Sequence, residues 1–185
     1  MTGFRKNSHT LAISLCLWLL GGCFTASADT PAAGAEQRAE AVTQVVLGIL
    51  SYARWPVEPQ QLRLCVIGPT QYTDDLLKGT TQASGRAVKV RRLLVDDLRI
   101  VSECDGVYIG ELEPAERSRL FASITGKPIL SISENDAQCS VGSLFCLNVA
   151  DEQVSFQVNL DSVARSGVRI HPSVLQLSKR RSAQP

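Results

Sequence analysis

Short apolar runs alternate with polar turns along this chain, and their spacing assigns most of the elements. Ala39, Val42, Val46, Ile49, Leu50 and Ala53 recur at three- and four-residue intervals, the signature of one buried face on a helix over 36–54. Trp55-Pro56 ends that helix, because the residue before a proline avoids helical backbone. Strands are predicted at 62–67 (LRLCVI), 87–92 (AVKVRR), 105–109 (DGVYI) and 128–133 (PILSIS). Helices at 74–78, with Thr73 as cap, and at 113–122, with Pro114 at a tolerated early position, lie between them. Strands alternating with short helices imply a parallel α/β core, with the four strands in the order 2-1-3-4.

After Ser133 the pattern changes. Residues 134–141 are polar and turn-like, then LFCLNV (144–149) and VSFQV (154–158) flank the turn residues Asp151-Glu152. That is an antiparallel hairpin. Asn159 caps a helix over 160–165, which Gly167 terminates. Residues 168–170 are extended, and Pro172 opens a last short helix whose Val174, Leu175 and Leu177 pack inward. The expected fold is therefore α/β: a short parallel sheet flanked by helices, Rossmann-like, followed by a C-terminal antiparallel hairpin and two short helices.

The ends of the chain add a compartment. Arg5 and Lys6 precede an apolar run at 11–20 (LAISLCLWLL), too short to span a bilayer and suited to an export signal. Ala26-Ser27-Ala28 offers small residues for cleavage after Ala28; the alternative is a lipoprotein box ending at Cys23. The organisation is then a signal peptide (1–28), a flexible leader (29–35), one domain (36–178) and a basic tail (179–185) carrying Lys179, Arg180 and Arg181. The signal carries two basic and no acidic side chains, so its removal takes the formal charge from +1 to −1. No general basic field remains to attract nucleic acid.

The chemistry is sparse. His171 is the only histidine beyond the signal, which excludes two-histidine mechanisms. No G-x-S-x-G elbow, phosphate loop or dinucleotide glycine fingerprint occurs, and no enzyme or cofactor is expected. Gly68-Pro69-Thr70 follows a strand and can offer backbone N–H groups to an anion. Arg169 and His171, two apart on an extended segment, share a face. Arg54 joins them if the first helix ends nearby, which makes a cationic group suited to an anionic or planar ligand.

Four cysteines remain after export: Cys65, Cys104, Cys139 and Cys146. They lack paired C-x-x-C knuckles, so disulfides are favoured over zinc. Three connectivities are possible. Neighbouring strands favour Cys65–Cys104, expected to be the more reducible, and the hairpin favours Cys139–Cys146.

Taken in order, several segments resemble the YfiR family of small periplasmic proteins. They are ILSYARWP (49–56), LCVIG (64–68), CDGVYIG (104–110), GKPILSI (126–132) and VSFQVNL (154–160), the last running into ARSGVRI (164–170). The resemblance implies a repressor that binds the periplasmic sensor domain of an inner-membrane diguanylate cyclase, lowering cyclic di-GMP and biofilm formation. It also implies an outer-membrane, peptidoglycan-binding lipoprotein that sequesters the repressor, and a response to redox state through the disulfides. By the same resemblance Arg54, Arg169 and His171 match small-ligand positions. Phe145, Val163 and the last helix are candidates for the partner interface, and an open sheet edge or exposed last helix would support a homodimer.

Overall fold

The computed structural model describes residues 31–136, 139, 142–150 and 153–177. The signal with its cleavage and lipidation candidates, the Asp151-Glu152 turn and the basic tail lie outside the described residues.

Helix α1 runs Pro31–Tyr52. Residues 29–35 were assigned above to a flexible leader, and from Pro31 onward that assignment is corrected. Proline has its backbone pre-set for a first helical position, and Ala32, Ala33 and Ala35 favour helix strongly enough to absorb Gly34. At its other end α1 stops short of 54, and Ala53–Arg54 form a two-residue strand, β1. Next come β2 (Leu62–Ile67), α2 (Asp74–Leu77), β3 (Thr80–Thr81), β4 (Ala87–Leu93), α3 (Arg99–Glu103) and β5 (Gly106–Ile109). Then follow α4 (Pro114–Ile124), β6 (Leu130–Ser133), β7 (Phe145–Ala150), β8 (Gln153–Val158), α5 (Leu160–Ser166) and β9 (Arg169–Ile170). A 3-10 turn, Pro172–Val174, comes after β9.

One sheet takes seven strands in the order β3-β4-β2-β5-β6-β7-β8; β1 and β9 form a second sheet of two. The parallel strands β4-β2-β5-β6 stand in the expected order 2-1-3-4. The hairpin β7–β8 is not an appendage, because β7 pairs in parallel with β6 through Ile132↔Phe145 and Ser133↔Cys146. Only the end of β6 overlaps the start of β7.

Strand alternation sorts the core onto two faces. Leu62, Leu64 and Val66 of β2, Tyr108 of β5, and Leu130 and Ile132 of β6 pack with Val42, Val46, Ile49 and Leu50 of α1. Cys65, Ile67, Val107 and Ile109 point the other way, toward Ile100 of α3 and Leu120, Phe121 and Ile124 of α4. Helices thus cover both faces, as a mostly parallel sheet requires.

Candidate functional site

The small sheet assembles the cationic group. β1 pairs antiparallel with β9, setting Ala53 opposite Ile170 and Arg54 opposite Arg169. The His171 N–H extends the ladder by donating to the Tyr52 carbonyl at 3.0 Å. Directly opposed residues share a face. Ala53 is buried and Ile170 packs against the core, whereas Arg54, Arg169 and His171 are exposed on the other side. The Tyr52 and His171 rings stack, with centroids 6.2 Å apart and planes 28° apart.

Each member has a local reason for its place. The Arg54 guanidinium folds back onto the end of α1, donating to the carbonyls of Ser51 (2.9 Å) and Ala53 (2.7 Å). A cation there complements the negative end of the helix dipole. His171 caps the 3-10 turn, its Nδ1 accepting from the Ser173 N–H at 3.2 Å. Neutral His171 therefore carries its proton on Nε2 and presents that donor outward. Arg54 and Arg169 face each other, and neither forms an ion pair among the described residues. Two like charges across a strand pair oppose one another until an anion lies between them.

The loop after β2 has a different fate. Just past Gly68-Pro69-Thr70, the Gln71 (2.8 Å) and Tyr72 (3.0 Å) N–H groups donate to the two carboxylate oxygens of Glu134. The Tyr108 hydroxyl donates to the same carboxylate at 2.8 Å. Burial first, then the adjacent Glu134 charge, push the Tyr108 phenol far above the ordinary tyrosine range. Beside this lies a crevice of about 450 Å³ at the carboxyl ends of β2, β5 and β6, where open α/β sheets generally bind ligands. On its wall the Glu134 carboxylate holds the Gln71 and Tyr72 N–H groups from within the chain. Sequence reasoning missed Glu134 because nothing local links it to a turn more than sixty positions earlier. Tyr52 had a signal, since Tyr52 and Arg54 carry the same two-residue spacing as Arg169 and His171.

Both disulfides are present, Cys65–Cys104 with Cα atoms 5.9 Å apart and Cys139–Cys146 at 5.5 Å. Both separations are ordinary for a bridge. Cys65 lies on β2, and Cys104 just ahead of β5 at the end of α3, so the link runs from a strand to the entry of its neighbour. Cys65 is 0% and Cys104 4% exposed, while Cys139 reaches 8% on its loop. Cys146 is 2% exposed, so both bridges are buried and exposure does not rank their reducibility. Asn159 fastens that loop, accepting the Ser162 N–H as cap of α5 and donating to the Cys139 carbonyl, both at 2.9 Å.

Of the two interface candidates, Phe145 is corrected. It is fully buried, edge-on to Phe156 with ring centroids 5.7 Å apart, and presents nothing to a partner. Its place at the start of β7, between β6 and β8, puts it in mid-sheet. Val163 is half-buried on α5 and packs against the core, and Leu175 is 53% exposed.

A doubly wound α/β domain, braced by two disulfides and carrying an exposed cationic strand pair, is the class these features define. The family model described as YfiR/HmsC-like matches residues 39–179, and the chain belongs to that family. No helix among the described residues is long and apolar enough to cross a membrane.

Proposed function

We propose that this protein is a periplasmic regulator, exported through residues 1–28 with cleavage after Ala28, and not an enzyme. In this reading it binds the periplasmic sensor domain of an inner-membrane diguanylate cyclase and holds down cyclic di-GMP synthesis, and with it biofilm formation. An outer-membrane, peptidoglycan-binding lipoprotein relieves the inhibition by sequestering it. Membership of the YfiR/HmsC-like family over 39–179 carries the reading. Val163 and Leu175 are the partner-face residues we favour, since a half-buried valine and an exposed leucine are each reasonable apolar anchors. Deleting the gene is expected to raise cyclic di-GMP, and capture of the cyclase's periplasmic domain is expected from the oxidised protein. An unchanged cyclic di-GMP level counts against the proposal.

A second reading is favoured by the juxtaposition of Tyr52, Arg54, Arg169 and His171. A planar anion, such as a nucleoside monophosphate or an aromatic amino acid, stacks beside the Tyr52–His171 rings and neutralises the two arginines. Calorimetry is expected to detect binding that Arg169→Glu abolishes, because the new carboxylate pairs with Arg54 internally. No heat at millimolar ligand overturns this reading and leaves the first untouched.

A further inference from the structure

Strand β6 reads Leu130-Ser131-Ile132-Ser133, and all of its residues are buried. A strand covered on both faces is ordinarily apolar throughout. Leu130 and Ile132 pack toward α1, so Ser131 and Ser133 stand on the α4 face, where the neighbouring β5 places Val107 and Ile109. Ser133 is accounted for, since its hydroxyl bonds the Ser143 hydroxyl and accepts from Arg117. Ser131 instead opens onto a cleft of about 40 Å³ between α4, α5 and the segment leading into β7. That is room for about three water-sized groups.

Hydroxyls crowd this cleft, and their bonds differ. Thr125 Oγ1 donates to the Phe121 carbonyl at 2.6 Å. Ser166 Oγ donates to the Val163 carbonyl at 2.9 Å and accepts the Val168 N–H at 3.1 Å. Ser131 Oγ accepts the Leu144 N–H at 3.0 Å and still has its own proton to give. Ser162 Oγ has no hydrogen-bond partner among the described residues, although Ser162 is only 6% exposed. A buried hydroxyl left in this way is costly unless something enters to bond it. Two O–H donors thus line one space, walled by Phe121, Ile124 and Leu144. The Arg165 guanidinium stands at the rim, in an exposed pair with Asp161 at 2.5 Å through Nη1. The Phe121 and Ile124 carbonyls at the end of α4 are taken by the Thr125 and Lys127 N–H groups.

We propose that the cleft between α4 and α5 binds a short-chain monocarboxylate the size of acetate or propionate. The carboxylate accepts from the Ser131 and Ser162 hydroxyls and faces Arg165, while the alkyl end rests on Phe121, Ile124 and Leu144. An amine is opposed by the same arginine. Phosphate would bring a second charge to a guanidinium already shared with Asp161. The volume suits these small acids and not a longer chain. The cleft shares no residue with the Arg54–Arg169 pair, and the inference does not depend on the regulatory reading above.

Sodium propionate titrated into the isotope-labelled protein, followed by amide NMR, tests it. Shifts at Gly126, Ser131 and Ser162 are expected to saturate with a Kd of about 1–10 mM, and sodium chloride at equal ionic strength is expected to leave them in place. Propionamide, of the same shape without the charge, is expected to bind about tenfold more weakly. Ser162→Ala removes the unpartnered hydroxyl and is expected to weaken propionate about tenfold, with the thermal melt unchanged or raised. Arg165→Gln, at an exposed position that folding does not depend on, is expected to erase the preference for propionate over propionamide. Shifts that fail to saturate by about 50 mM overturn the proposal. So does propionate binding that Ser162→Ala leaves unchanged, or a preference for the acid that survives Arg165→Gln. A short peptide with a free C-terminus that outcompetes propionate assigns the cleft to a protein terminus and overturns the free-acid assignment.

Discussion

Replacing the Cys65–Cys104 bridge, as Cys65→Ala with Cys104→Ala, removes a cross-link that spans 39 positions of chain. Loop-closure entropy for a loop of that length is worth about 4 kcal/mol of folding stability. Cys65 and Cys104 are 0% and 4% exposed in the core between β2, α3 and α4, so lost packing adds roughly 1 kcal/mol. The Cys139–Cys146 bridge spans 7 positions, for which the same relation gives about 2.4 kcal/mol. The first variant is therefore expected to melt roughly 15 °C below the parent and the second roughly 7 °C below. Urea unfolding monitored by circular dichroism measures both free energies. It should also show a steeper denaturant slope in each variant, because an uncrosslinked chain exposes more surface when unfolded. If the Cys139/Cys146 variant loses as much stability as the Cys65/Cys104 variant, chain entropy is not what ranks the bridges. If stability falls with no change of slope, the effect lies in native packing.

Three further outcomes follow from single positions. A Cβ added at Gly110 would sit 1.7 Å from the Pro69 carbonyl oxygen, so Gly110→Ala is expected to fail to fold or to melt far below the parent, as thermal denaturation would show. The Arg99 guanidinium beside Asp97 holds that carboxylate down to about 2, so a carbon-detected NMR titration should place its midpoint near that value. Because this folded-state value lies below the unfolded one, the pair's contribution is complete above the usual carboxylate range and fades as the pH falls toward 2; a midpoint near 4 refutes the pairing. Asn159→Ala removes both the α5 cap and the tie to the Cys139 carbonyl and is expected to cost about 1–2 kcal/mol in urea unfolding.

The parallel core was legible because its signals are local. Strand runs such as LRLCVI and DGVYI are bounded by turns, and a doubly wound connection leaves few possible orders for four strands. The Asn159 cap and the Gly167 stop were legible for the same reason; Gly167 takes φ 72°, the left-handed backbone that ends a helix. What escaped were elements defined by distant partners. Ala53–Arg54 read as the tail of a helix, and only pairing with Arg169–Ile170 makes them a strand. Thr80–Thr81 is too short to show a period and exists because β4 lies beside it. Arg99–Glu103 is only five residues long, below the length at which periodicity identifies a helix. Phe145 was misread because an aromatic on a hairpin looks exposed until the hairpin is found inside the larger sheet. The grouping of Arg54 with Arg169 and His171 was visible as a condition on where the first helix ends, and that end lies where the condition requires.

The hold of Glu134 on Gln71 and Tyr72 amounts to a ligand built into the chain. A carboxylate tethered within reach of a site competes at an effective concentration that no diffusing anion ordinarily matches. Phosphate or a nucleotide arriving at that loop must displace a competitor that cannot diffuse away, and must also break the Tyr108 contact. The loop is thereby kept ordered whatever the small-molecule content of its surroundings.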